Sequence, residues 1–76
     1  METRIKSRVE CGIEDARVNV TRDGSRFEIR VVSPAFEGLS RVKKQQLVYA
    51  SIQDLISDGS VHAVTIEALT PAEANE

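Results

Sequence analysis

Ser33-Pro34-Ala35-Phe36-Glu37-Gly38-Leu39-Ser40-Arg41-Val42-Lys43-Lys44-Gln45-Gln46-Leu47-Val48-Tyr49, taken with the later Val61-His62-Ala63-Val64-Thr65-Ile66, decides the fold of this chain. Ser33-Pro34 ends a strand, because proline has no amide to give to a sheet ladder. Gly38 permits a tight turn, Phe36 and Leu39 are apolar enough to pin the connection to a core, and Ser40 is a good N-cap. A helix is therefore expected from Ser40 to about Ile56. Asp58-Gly59-Ser60 breaks it, and Val61 to Leu69 reads as a strand containing the one histidine of the protein.

Upstream, Ile5, Val9 and Ile13 recur at helical spacing and predict a first helix of about ten residues, with Gly12 as its stop signal. Cys11 lies off that stripe and is expected to be exposed. Val18 and Val20 then alternate with polar residues, as do Phe27, Ile29 and Val31. Between these runs the Asp23-Gly24 pair signals a hairpin turn. One face of the hairpin is apolar and the other charged, so one side packs on helices and the other meets solvent or a partner. In the main helix Val42, Gln45, Val48, Tyr49, Ile52, Leu55 and Ile56 form a band about 140° wide. Lys43, Leu47, Ala50 and Asp54 lie opposite, which makes Leu47 an apolar residue in a polar stripe. Thr70-Pro71 ends the last strand, and residues 72–76 form a short acidic tail.

The order is thus α-β-β-α-β, an α+β fold with a three-stranded mixed sheet and helices on one face. A helix between the second and third strands makes them parallel if they are neighbours, with a right-handed crossover. Parallel neighbours start at the same sheet end, so His62 is expected near Arg26 and the Asp23-Gly24-Ser25 turn. The 76 residues make a single domain over 1–76 with a thin core, and 1–3 and 71–76 are expected to be flexible.

A net charge of −2 gives no global attraction to nucleic acid or anionic membrane. One cysteine rules out an internal disulfide and fits a reducing compartment. The opening Met1–Lys6 holds no apolar run, and no stretch reaches membrane-spanning length, so a soluble cytoplasmic protein is expected.

The chemistry available is sparse. His62 has two readings: a ring hydrogen-bonded to backbone at a sheet end, or an imidazole supplied to a metal site shared with another molecule. No HxH, CxxC or HExxH spacing is present, which sets aside an autonomous zinc site. Cys11 has no flanking cations to lower its thiolate pKa, and no glycine-rich phosphate loop occurs. An enzyme needs a base, nucleophile or metal in convergent positions, and these residues do not supply one. Arg41, Lys43 and Lys44 open the main helix against its dipole, and Arg26 and Arg30 add charge on the outer sheet face. They suit an anionic contact, either nucleic-acid phosphate or carboxylates, although exposed aromatics for base stacking are lacking.

The run Phe36 to Tyr49, followed by Asp54-Leu55-Ile56, Val61 to Ile66 and Thr70-Pro71-Ala72-Glu73, resembles the BolA family, especially its acid-responsive, IbaG-like branch. The likeness covers about Val18 to Glu73. It implies a fold similar to class II KH domains. It also implies pairing with monothiol glutaredoxins of the CGFS type around a shared [2Fe-2S] cluster, with glutathione completing the coordination. The family's histidine ligand falls on His62, and no cluster is expected on this chain alone. Leu47, Lys43 and Lys44 are candidates for the partner-facing surface. Some members are regarded as DNA-binding regulators of stress responses, using the segment from Gly38 to Tyr49. That makes Arg26, Arg41, Lys43, Lys44 and Leu47 the candidate nucleic-acid surface; a weak homodimer is a further expectation, and a membrane partner is not.

In one place the sequence departs from the pattern. Relatives often carry a second ligand, His or Cys, in or just after the loop between the first two strands, and Arg26 stands there instead. Guanidinium has no lone pair to give. Asp23 offers oxygen, a poorer match to iron-sulfur chemistry. Three outcomes stay open: a substitute ligand beside His62, a labile cluster, or a complex with the glutaredoxin that holds no cluster.

Overall fold

The computed structural model describes residues 1–75; Glu76, the end of the acidic tail, lies outside the described residues. The elements are α1 (Glu2–Gly12), β1 (Arg17–Asp23), β2 (Arg26–Val32), a 3-10 turn over Pro34–Phe36, α2 (Arg41–Ser51), α3 (Gln53–Ser57) and β3 (Ala63–Leu69). The sheet order is β1-β2-β3, with β1 antiparallel and β3 parallel to the central strand.

β2 splits its side chains by parity as far as Val31, after which Val32 is buried too. Phe27, Ile29 and Val31 of β2 turn inward and are buried, as is Ile66 of β3. They meet Ile5, Val9 and Ile13 from α1, and Val48, Ile52 and Leu55 from the long helical segment. Burying each such side chain contributes about 1.5–3 kcal/mol against chain entropy. The opposite sheet face is charged, and there Arg30 Nε donates to Glu67 Oε1 at 2.9 Å across the β2–β3 register.

The hairpin turns through Gly24 and Ser25 between the paired Asp23 and Arg26. Gly24 has φ +64°, the glycine-first geometry that matches hairpin twist. Ser33 is fully buried at the end of β2. Its hydroxyl donates to the Glu14 carbonyl at 2.6 Å and accepts the Ala35 amide at 3.0 Å. Phe36, also fully buried, plugs the connection that follows, with Leu39 packed against the same core.

Four local expectations are corrected. The long helix is broken at Ile52, whose φ −117° and ψ 16° leave the helical basin. Its amide bonds Tyr49 O, three residues back, while the Val48 carbonyl takes the Ser51 hydroxyl at 2.6 Å. Such back-bonding by serine competes with the helical ladder, and after the bend both Ile52 and Leu55 remain fully buried. The buried line is also rolled round α2: Val42 and Tyr49 are exposed, and Lys44 sits at 8% exposure beside Val48. β3 starts at Ala63 rather than Val61, whose amide bonds Leu55 O instead of the sheet. α1 ends at Gly12 as expected, but not through a left-handed cap; a Cβ there would stand 2.8 Å from Ser51 Cβ, so its smallness lets α1 approach α2.

Candidate functional site

His62 is set by the turn that precedes it. Asp58 Oδ1 accepts the Ser60 amide at 2.8 Å, and the hydrogen bonds from Ser60 hold the Asp58 carboxyl below the usual carboxylate range. Gly59, at φ +83°, sends its amide back to Ile56 O, a conformation that glycine adopts without steric cost. Val61 is buried and anchors the segment, and Ala63 then enters the sheet opposite Arg26. His62 lies between anchor and strand and is exposed. Its ring makes no hydrogen bond or ion pair among the described residues. A neutral imidazole so placed can offer a nitrogen lone pair outward, whereas an imidazolium cannot.

Asp23 faces Arg26 across the end of the hairpin, and Arg26 pairs in register with Ala63. Asp23, Arg26 and His62 therefore share one sheet end, as the parallel strand direction requires. Asp23 and Arg26 form no ion pair with each other. Among the described residues no three His, Cys, Asp or Glu side chains gather in a way that could hold a metal ion. Cys11 is exposed on α1 and joins no such group.

The remaining candidates lie on α2. Ser40 caps it, its Oγ accepting the Lys43 amide at 3.2 Å. Arg41 and Lys43 are exposed, and neither has an ion-pair partner among the described residues. Leu47 is 40% exposed and, with Leu39, Lys43 and Gln46, lines an open depression of about 340 Å³.

Lys44 is the exception. Its stem is buried and its Nζ donates to Glu73 Oε1 at 2.6 Å, so it is not on the exposed surface with Arg41 and Lys43. The same carboxylate accepts the Thr70 amide at 2.9 Å, and Thr70 Oγ1 accepts the Glu73 amide at 3.1 Å. The Lys44 hydrogen bond, followed by that of Thr70, lowers the Glu73 pKa from 4.5 to about 2. This reciprocal pair is a capping box. Sequence reasoning passed over it, although Thr followed three residues later by Glu is its signature.

A family model described as BolA-like protein matches residues 6–73. Over 56 residues the chain is 52% identical to the acid stress protein IbaG of Escherichia coli K12, covering 74% of this chain and 67% of that protein. A bolA protein homologue from Coxiella burnetii superposes with a TM-score of 0.83 at 30% identity, covering 100% of this chain and 97% of that one. The BolA domain of SufE1 from Arabidopsis thaliana gives 0.81 at 36% identity, covering 95% and 93%. None of the helices is long and apolar enough to cross a membrane among the described residues.

Proposed function

The chain belongs to the BolA family, in its IbaG-like branch, and on that premise we propose that it is a non-enzymatic adaptor for iron-sulfur cluster trafficking. Its partner is a cytoplasmic monothiol glutaredoxin of the CGFS type. The cargo is a [2Fe-2S] cluster that the two proteins share with glutathione, and this chain contributes His62.

One observation carries the reading: the only imidazole of the protein is exposed, is anchored on both sides by backbone, and has no hydrogen bond or ion pair among the described residues. Neither ring nitrogen is engaged among the described residues. Arg26 beside the same sheet end has no lone pair to add, so His62 is the chain's single nitrogen donor there. The partner brings the thiolates that iron-sulfur clusters favour. The likeness to a BolA domain carried within SufE1 supports a module that works joined to another protein. The alternative of a DNA-binding regulator is weakened at α2, where Glu73 already neutralises Lys44.

The test is to mix the chain with a CGFS glutaredoxin, iron, sulfide and glutathione. Visible absorption and circular dichroism then show whether a mixed cluster forms. Replacing His62 by Ala is expected to abolish the mixed-cluster spectrum and leave the glutaredoxin's own. An unchanged spectrum removes His62 from the coordination.

A further inference from the structure

β1 is an edge strand, and among the described residues nothing is hydrogen-bonded along its outer side. The hairpin closes on Asp23 and Arg26 across Gly24 and Ser25, and the residues that close such a hairpin exchange their backbone bonds. Along β1 the bonds then alternate. Arg17, Asn19, Thr21 and Asp23 turn their N–H and C=O groups to β2, and Val18, Val20 and Arg22 turn theirs outward. The other edge of the sheet differs, because Arg41, Lys44, Gln45 and Glu73 wall a groove along residues 65–69.

Free edges are usually blunted by proline, lysine, bulges or inward-pointing charges. β1 has no proline or lysine, and its register with β2 runs unbroken over its seven residues. The charge on its inner side, Arg22, is folded back on its own hairpin. Its Nε donates to Gly24 O at 2.9 Å, and its guanidinium lies 5.6 Å from the centroid of the Phe27 ring. The edge is left open.

The sequence of this edge complements itself in reverse. Set antiparallel to a second copy about Val20, Val20 meets Val20, Val18 meets Arg22, Asn19 meets Thr21 and Arg17 meets Asp23. Every outward N–H and C=O of Val18, Val20 and Arg22 then has a partner. Opposite charges directly across two strands stabilise the pair, and like charges destabilise it. Sliding the copies by one step either way parts Arg17 from Asp23, and in one direction sets Asp15 against Asp23. Arg17 also interacts within its own chain; a guanidinium has donors enough for a carboxylate in addition. Burial along the inner side falls from Val18, buried, through Val20, half-buried, to Arg22, exposed. The antiparallel arrangement puts the covered end of each copy beside the open end of the other.

We propose that β1 is a self-association edge, where a second copy of this chain pairs antiparallel about Val20 and joins two three-stranded sheets into one. In each copy β3, which His62 precedes, is the strand farthest from the joint. Association here does not depend on what His62 binds. A joint of one strand is small, so the dimer is weak and forms at high concentration.

The experiment follows the full chain by sedimentation velocity from about 10 μM to about 1 mM. Isotope-filtered NMR on an equal mixture of labelled and unlabelled protein locates the joint. Monomer should give way to dimer as concentration rises, with intermolecular contacts from Val20 to Val20 and from Val18 to Arg22. Amide exchange at Val18, Val20 and Arg22 should slow in step. Asp23→Lys should weaken association by about tenfold, since it sets like charges opposite at both ends of the joint. Adding Arg17→Glu to it should restore the dimer, and His62→Ala should leave it unchanged. A monomer at every concentration, intermolecular contacts at another surface, an Asp23→Lys chain that pairs like the parent, or a double variant as weak as Asp23→Lys each overturns the proposal.

Discussion

Thr70, Glu73 and Lys44 close the C-terminal end of β3 with hydrogen bonds of 2.6, 2.9 and 3.1 Å, whereas the ring of His62, just before its other end, makes none among the described residues. Both regions are built around a polar side chain next to a strand terminus. At the Glu73 end the polar groups satisfy one another, and the buried stem of Lys44 becomes part of the packing. At the His62 end only the backbone is fixed, by Val61, Gly59 and the Asp58–Ser60 bond. A side chain that stabilises the fold has committed its valences inward, and one held by its backbone alone has them to give away.

The contrast breaks if stability is spread evenly between the two ends. The largest loss is expected from Phe36→Ala, behind the end of β2, at about 3–5 kcal/mol by urea denaturation. In a domain this small that is a large share of the total. Glu73→Gln should come next and should cost more than Lys44→Met, because it leaves the ammonium of a side chain only 10% exposed without its countercharge. The pH dependence follows from the same bond. The Glu73 carboxyl titrates lower in the folded chain than in the unfolded one, so its contribution is present above pH 4.5 and is lost as pH falls toward about 2. Denaturation midpoints across that window should drop for the parent and stay flatter for Glu73→Gln.

Ser40→Ala removes the α2 cap and should cost about 1 kcal/mol. The smallest effect is expected from His62→Ala, within about 0.5 kcal/mol of the parent, measured on the same protein that loses the mixed-cluster spectrum. A loss as large as that of Ser40→Ala would mean that the ring supports the fold, and the contrast between the ends would fail.

Much of this arrangement is readable in the residues themselves. Ser40, Gly24 and Ser33-Pro34 act where local chemistry alone puts them, and the α-β-β-α-β order requires Arg26 and His62 at one sheet end. Two of the misread features depend on what lies across the fold. Lys44 is buried because Glu73 comes to meet it, 29 residues later. Gly12 acts through a neighbour on another helix, and only packing reveals that Ser51 is the neighbour. The bend at Ile52 trades a ladder bond for a serine hydroxyl, a choice the apolar period does not record. The availability of the His62 ring is of the same kind, since no spacing says whether a ring nitrogen already has a mate.

The parallel pairing of β2 with β3 has a consequence for synthesis on the ribosome. Arg26 meets Ala63 across 37 positions of chain, and a nascent polypeptide cannot form that contact until β3 has been made and has left the exit tunnel. Incomplete copies therefore lack the scaffold that seats the imidazole. The imidazole is therefore presented only after β3 has emerged and paired with β2.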